Sequence, residues 1–319
     1  MSKKLKILGQ NIEPNGSYVL SLDIARLHTR TKLDLPIIIE RGAVDGPVLL
    51  ITAGIHGNEI NGVEIVRQII SKGYNKPEKG TIICIPILNI FGYINQTREF
   101  PDGRDLNRMF PGSKTGSLAS RFAYSFMKEI VPYIDYCIDY HTGGASRFNY
   151  THLRVNEADK ESLELAKTFG IPYILFAKNR EQSFRETLVK LNKKVLLFEG
   201  GKTLFLDKTV TKIGVDGAKR VIQHLGMKNF NNLSLKPFQT IILEKASWVR
   251  AHHSGLYRSF VSVGTKVKKG EKLGSIASPF GDFEKIVKCP HDGYVISSNH
   301  SPIVVQGDAL INLGIEKTD

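Results

Sequence analysis

The sequence is poor in cysteine: it has three in 319 residues, and Cys84, Cys137 and Cys289 stand far apart in apolar, strand-like runs. That spacing excludes a disulfide framework and a thiolate metal site, and it suits small buried hydrophobes in a reducing compartment. Long apolar runs are missing as well. None approaches the roughly 20 residues that span a bilayer, and the few apolar residues before Gly9 fall short of a secretory core of roughly 7–15. The expectation is a cytoplasmic protein with neither signal peptide nor membrane span. Acidic residues are also in deficit, 31 against 44 lysines and arginines, for a formal charge of +13. Yet the lysines come singly or in pairs such as Lys193-Lys194 and Lys268-Lys269. No basic stripe interleaved with aromatics and no nucleic-acid motif is present. Nucleic acid is therefore not an expected partner, and the charge reads as a solvated basic surface that favours anionic small molecules. A homo-oligomer is compatible with the sequence.

What is present is ordinary globular material, 41% hydrophobic and 24% charged, enough for one large domain and a small one. From about residue 36 to 225, short apolar runs alternate with amphipathic stretches. Strands are predicted at Pro47–Ala53, Thr81–Ile87, Tyr136–Tyr140, Tyr173–Phe176 and Lys194–Phe198. Helices are predicted at Ile60–Ile70, Leu118–Ile130, Glu157–Phe169, Arg185–Leu191 and Lys208–Leu225. Continuous apolar strands between helices predict an α/β fold with a mostly parallel or mixed sheet covered on both faces.

After Gly226 the character changes. Met227–Pro237 is polar and Asn-rich and reads as a linker, and beyond it come short Val/Ile runs punctuated by glycine. This tail repeats itself: Val249-Arg-Ala-His-His-Ser-Gly255 resembles Val287-Lys-Cys-Pro-His-Asp-Gly293. From each leading valine to a later glycine, Gly270 or Gly307, the interval is 21 or 20 residues. The expected division is thus a domain at 1–235 and a small all-β module of two repeated halves at 236–319.

The sharpest local motif is Gly54-Ile-His-Gly-Asn-Glu-Ile-Asn-Gly62. His56 and Glu59 follow a buried strand and open a helix, and in a glycine-bracketed turn both can reach one metal ion at about 2.0–2.2 Å. Taken alone, the pair equally fits an incidental loop histidine and a first-turn glutamate favoured by the helix dipole. His141 ends a predicted strand in Asp139-Tyr-His-Thr-Gly-Gly144, and Glu199 ends another in Phe198-Glu-Gly-Gly201. Four residues of metal-site chemistry therefore fall at the C-terminal ends of three strands, the edge where open α/β sheets bind ligands. Two histidines and one carboxylate leave a fourth zinc position open, as in a catalytic site, and a nearby carboxylate can act as base. A third cluster, Arg98 with Arg104-Asp-Leu-Asn-Arg108, suits bidentate carboxylate binding, though a charged solvent-facing turn reads the same.

In this order, Gly54–Gly62, Asp105-Leu-Asn-Arg108, Asp139-Tyr-His141 and Glu199-Gly-Gly201 resemble the succinylglutamate desuccinylase/aspartoacylase family, which shares the zinc carboxypeptidase fold. The resemblance covers about residues 36–225. It implies one zinc ion held by His56, Glu59 and His141, with Glu199 as the base that activates water. It further implies that Arg98 polarises the scissile carbonyl and that Asn107 and Arg108 grip a substrate carboxylate. The expected activity is hydrolysis of the amide of an N-acyl amino acid or similar small carboxylate. A carboxypeptidase acting on short peptides and a non-catalytic metal- or ligand-binding homologue are the alternatives. The tail is similar to the β domain of predicted bacterial deacylases of this family. It also resembles biotinyl/lipoyl carrier modules, but Ser278-Pro-Phe-Gly-Asp-Phe-Glu284 stands where a carrier presents Met-Lys-Met. His253 and His291, equivalent in the two repeats, read as turn residues. Arg147, Arg154 and the segment Asn179–Ser183 fit a pocket lining or an open surface equally well.

Overall fold

In a computed structural model describing residues 4–26, 30, 32–231, 233–234 and 237–317, the alternating pattern becomes eighteen strands and six α-helices. β1 (Lys6–Ile7) and β2 (Gln10–Asn11) form a small hairpin, followed by β3 (Ser17–Arg26) and β4 (Lys32–Arg41). Next come β5 (Val44–Ala53), α1 (Ile60–Ser71), β6 (Lys79–Ile85), α2 (Ile90–Ile94), α3 (Leu118–Glu129) and β7 (Tyr136–Gly143). They lead to β8 (Arg147–Val155), α4 (Lys160–Phe169), β9 (Tyr173–Phe176), α5 (Phe184–Lys190), β10 (Lys194–Lys202) and α6 (Lys208–His224). The tail is all strand: β11 (Ile241–Arg250), β12 (Gly255–Ser259), β13 (Lys266–Val267) and β14 (Lys272–Ala277), then β15 (Glu284–Lys288), β16 (Gly293–Asn299), β17 (Ile303–Val304) and β18 (Ala309–Glu316). No described helix is long and apolar enough to cross a membrane.

At the centre, β10, β7, β5 and β6 run parallel. Successive residues of these strands feed two separate cores, because side chains alternate across a sheet. Leu50, Ile83 and Ile85 face a core shared with α3 and α5, whereas Leu49, Ile51, Ile82 and Cys84 face one shared with α1, α4 and α6. Both faces being covered explains why apolar residues dominate consecutive positions of these runs. The sheet is mixed for two reasons that the apolar runs conceal. β3 and β4 add antiparallel strands at one edge, and β8 lies antiparallel against β10 inside the sheet. β8 alternates polar with apolar residues and carries no continuous run.

The tail does not hang apart from this sheet. β11 pairs with β9 (Ile241 opposite Tyr173) and β16 with β8 (Ser297 opposite Asn149), so one twelve-stranded sheet runs through both regions. Tyr173, Leu175, Leu243, Tyr294 and Ile296 pack together across the junction. In the tail, β13-β16-β18-β11 belong to the large sheet and β15-β14-β12-β17 form a sheet of four. The expected boundary at 235 and 236, and residue 232 of the expected linker, lie outside the described residues. At the start of that linker Met227 is buried, and its carbonyl accepts from the Glu78 and Lys79 backbone. All three cysteines are buried and free.

Candidate active site

The sheet order places the C-terminal ends of β5, β7 and β10 side by side, with Ala53 level with Tyr140 and His141 level with Glu199. From β5 the chain turns sharply into α1. Gly54 adopts φ +63°, a left-handed conformation that costs glycine little. Gly57 is needed for space: a Cβ there would lie 1.8 Å from the Gly92 carbonyl carbon of α2. This turn delivers His56 and leaves Glu59 at the N-cap of α1. α2 to α6 begin with a capping side chain, Asn89, Ser117, Asp159, Ser183 and Asp207 respectively. Glu59 makes no capping bond. A lost cap costs about 1 kcal/mol, and here the carboxylate is turned toward the two histidines instead.

His56, Glu59 and His141 are all buried, and one donor atom from each lies within 4.8 Å of the others. Glu59 Oε1 is 2.7 Å from His56 Nδ1, and Glu59 Oε2 is 3.1 Å from His141 Nδ1. The Thr142 backbone N–H donates to Oε2 as well, at 3.1 Å. His56 Nδ1 is buried and makes no hydrogen bond despite its proximity to Glu59. The far nitrogen of each ring faces an aspartate: His56 Nε2 lies 3.1 Å from Asp105 Oδ1, and His141 Nε2 lies 2.9 Å from Asp139 Oδ2. Carboxylates in this position orient metal-binding imidazoles and raise their basicity. Asp105 and Asp139 carry no assigned role in the sequence reading. Asp139 was within reach of it, since residues two apart on a strand share a face; Asp105 comes from a distant turn and was not.

Asp105 also ties in Arg98, whose Nε and Nη2 donate to Asp105 Oδ2 at 3.2 and 2.8 Å while Nη1 reaches Glu59 Oε1 at 3.2 Å. Burial alone would raise the Glu59 carboxyl, but His56 and His141 beside it hold it well below the usual carboxylate range. Asp105 behaves likewise, with burial outweighed by His56 and Arg98. For His141, burial is overcome by Asp139 and Glu59, which raise its pKa well above that of an ordinary histidine.

These groups open into a cavity of about 740 Å³ lined by every residue given a metal, catalytic or substrate-binding role from the sequence: His56, Glu59, His141, Glu199, Arg98, Asn107 and Arg108. Asn107 Oδ1 accepts from the Phe184 backbone at 2.8 Å, so its Nδ2 is left to donate. Glu199 Oε2 accepts from Asn149 Nδ2 at 2.8 Å, and Arg154 Nη2 lies 3.4 Å from Oε1. Of the readings left open, Arg147, Arg154 and Arg180 line the cavity, together with Arg185. Burial, with Arg154 nearby, lowers the Arg185 guanidinium to about 10. Lys245, Trp248, Arg250 and Asp308 add a wall from the tail. His253 packs on Phe283 at 5.6 Å and His291 contacts Ser247 Oγ at 3.0 Å, both away from this cavity.

Comparison with known proteins places the chain among those of one family. A model of the succinylglutamate desuccinylase/aspartoacylase catalytic domain matches residues 45–225. The chain is 29% identical over 254 residues to a protein of Halomonas elongata named N-alpha-acetyl-L-2,4-diaminobutyric acid deacetylase, covering 75% of this chain and 72% of that one. Among solved structures it is similar to a succinylglutamate desuccinylase/aspartoacylase from Rhodobacter sphaeroides, with a TM-score of 0.83, 23% identity and coverage of 95% and 96%. It is similar also to the product-bound ectoine utilization protein EutE (DoeB) of Ruegeria pomeroyi, with a TM-score of 0.85, 20% identity and coverage of 95% and 97%.

Proposed function

The chain belongs to the succinylglutamate desuccinylase/aspartoacylase family, and from that footing we propose a zinc-dependent deacylase hydrolysing the amide of an N-acyl amino acid or similar small carboxylate. The observation that carries this reading is the buried His56–Glu59–His141 triangle, with Glu199 one strand away in the same cationic cavity. A buried His56 Nδ1 without a hydrogen bond, facing a carboxylate and a second imidazole, fits one zinc ion per chain. When bound there, zinc supplies a Lewis acid for the acyl carbonyl and brings deprotonation of water into the neutral range.

The protein's own groups account for the remaining steps. Glu199 takes the proton of the attacking water and delivers it to the leaving amine, so that amine and carboxylate products separate without a charged nitrogen leaving group. Arg98, held by Asp105 and Glu59, donates to the oxygen on which charge develops. Arg108 and Asn107 Nδ2 hold the substrate carboxylate and so set the amide against Glu199.

The named activity of the Halomonas relative, removal of an acetyl group from an amino acid, supports the reaction class. Its amino acid has a second amine, whereas this cavity gathers Arg98, Arg108, Arg147, Arg154, Arg180 and Arg185. That charge favours an amino acid whose side chain is neutral or acidic. We read residues 1–235 as the catalytic domain and 236–319 as a barrel-sandwich-like β region of two halves. The matching strand orders β13-β16-β18-β11 and β15-β14-β12-β17 support the second part. Lys245 and Trp248 line the cavity from that region, a closed-off side that favours a small substrate over a peptide. Buried free cysteines suit the cytoplasm.

The test is hydrolysis of a panel of N-acyl amino acids and short peptides by protein stripped with a chelator and by protein reloaded with zinc. Zinc-dependent release of free amino acid is expected. Equal turnover without metal, or turnover of peptides alone, overturns the proposal. Glu199→Gln should retain zinc and lower kcat by about 10²–10⁴-fold.

A further inference from the structure

Glu199 sits three residues before the end of β10 on a side chain with three rotatable bonds. A base displaced by about 1 Å loses about 10²-fold in rate. What holds it comes from β8, the strand whose presence the apolar runs did not reveal. β8 and β10 are antiparallel, with His152 opposite Glu199 and Arg154 opposite Leu197. The register shifts between Glu199 and Gly201, where Asn149 becomes the opposing residue. Such an irregularity re-aims a side chain next to a site, and here it brings the Asn149 amide to 2.8 Å from Glu199 Oε2.

The other oxygen faces a relay of two side chains. Arg154 Nη2 is 3.4 Å from Glu199 Oε1, and Arg154 Nε donates to His152 Nε2 at 3.3 Å. His152 Nδ1 in turn lies 2.8 Å from the Tyr150 carbonyl. A carbonyl only accepts, so the proton is on Nδ1 and Nε2 is the free acceptor that a guanidinium requires. Burial pushes this imidazole down to about 4, with the Arg154 charge adding to the effect, so it is neutral where the enzyme works. A buried neutral histidine with both nitrogens engaged is a fixed anchor for an otherwise flexible arginine.

We infer that Asn149 and the His152–Arg154 pair are positioning residues that hold Glu199 by both oxygens, one by a hydrogen bond and one by charge. The inference rests on the reading of Glu199 as the base. Oε2 is occupied by the Asn149 amide, and Oε1, facing only the longer contact, is the oxygen that takes the proton.

The test uses the zinc-loaded full chain and whichever N-acyl amino acid the wild type turns over fastest. Asn149→Ala is expected to lower kcat about 10–100-fold, with KM changed less than about threefold and with zinc content and melting temperature unaltered. In the Glu199→Gln background the same substitution should add nothing, since it acts only through that carboxylate. Should the alanine variant fold poorly, near-isosteric Asn149→Leu, which offers Glu199 no donor, serves the same cycle. His152→Phe removes the acceptor and should lower kcat, while His152→Gln, with an amide oxygen near the Nε2 position, should recover most of it. Unchanged kcat in Asn149→Ala, an equal loss with and without Glu199, or a glutamine variant no better than phenylalanine overturns the inference. Unchanged turnover in Glu199→Gln alone strikes the base assignment itself, which distinguishes the two failures.

Discussion

Where the cavity meets the ends of β5 and β7, its polar groups are buried and paired. Where it meets the start of β8, residues 178–180 and the tail, they are mostly exposed and mostly of one charge. His56, Glu59 and His141 are at most 4% exposed, and each imidazole has its far nitrogen against an aspartate. By contrast Arg147, Lys178, Arg180, Lys245 and Arg250 are exposed, and Arg147 lies over the Trp248 ring at 5.2 Å. The first wall is organised in advance for one chemistry. The second is a positive field with side chains free to adjust to different anions. On the proposed function, reaction type resides in the buried wall together with Glu199 and the β8 groups that hold it, and substrate choice in the exposed wall.

The comparison breaks most sharply at the ligands. His141→Ala should abolish stoichiometric zinc and with it turnover, as measured by metal analysis of the purified protein; a variant that keeps zinc would remove His141 from the metal site. Next comes a pH effect set on β8. His152 titrates near 4 in the folded protein and near 6.5 when unfolded, so the unfolded chain binds a proton first as pH falls. The contribution of His152 to stability should thus be complete above about 6.5 and decline toward pH 4 by roughly 3 kcal/mol. Urea unfolding across that range should show the slope, and His152→Gln should flatten it. Asp139→Asn keeps the shape of the buried wall but removes the charge behind His141, with an expected loss of about 10–100-fold in zinc affinity or activity. Competition with a chelator reads it, and an unaltered affinity would deny Asp139 that role. The smallest effect belongs to the exposed wall. Trp248→Ala removes a contact worth about 0.5–1 kcal/mol and should raise KM only a few-fold with kcat unchanged; a fall in kcat instead would show that the walls are not separable.

Much of the arrangement was legible in the residues. The strand runs Tyr173–Phe176 and Lys194–Phe198 and the helix at Ile60 lie where periodicity predicts them, because both sheet faces are covered and burial is written into every position. His56, His141 and Glu199 stand out since each directly follows or ends such a run beside glycine. What escaped was β8. Its pattern Arg147-Phe-Asn-Tyr-Thr-His-Leu-Arg-Val155 has no continuous apolar stretch, as one face looks into a charged cavity.

The tail shows the same division. Its repeat and its β character followed from local sequence, since valine, isoleucine and glycine at fixed spacing already specify short strands and turns. That β11 and β16 would extend the main sheet did not follow, because pairing between strands 68 (Ile241 and Tyr173) and 148 (Ser297 and Asn149) residues apart depends on which edges remain open after folding. The sequence by itself determined the elements, their apolar faces and the residue types at the strand ends. Only the tertiary structure decided which carboxylate stands behind His56, what grips Glu199 and how a basic chain concentrates its arginines around one cavity. Those are relations between distant segments, set by sheet order and register, and no local pattern encodes them.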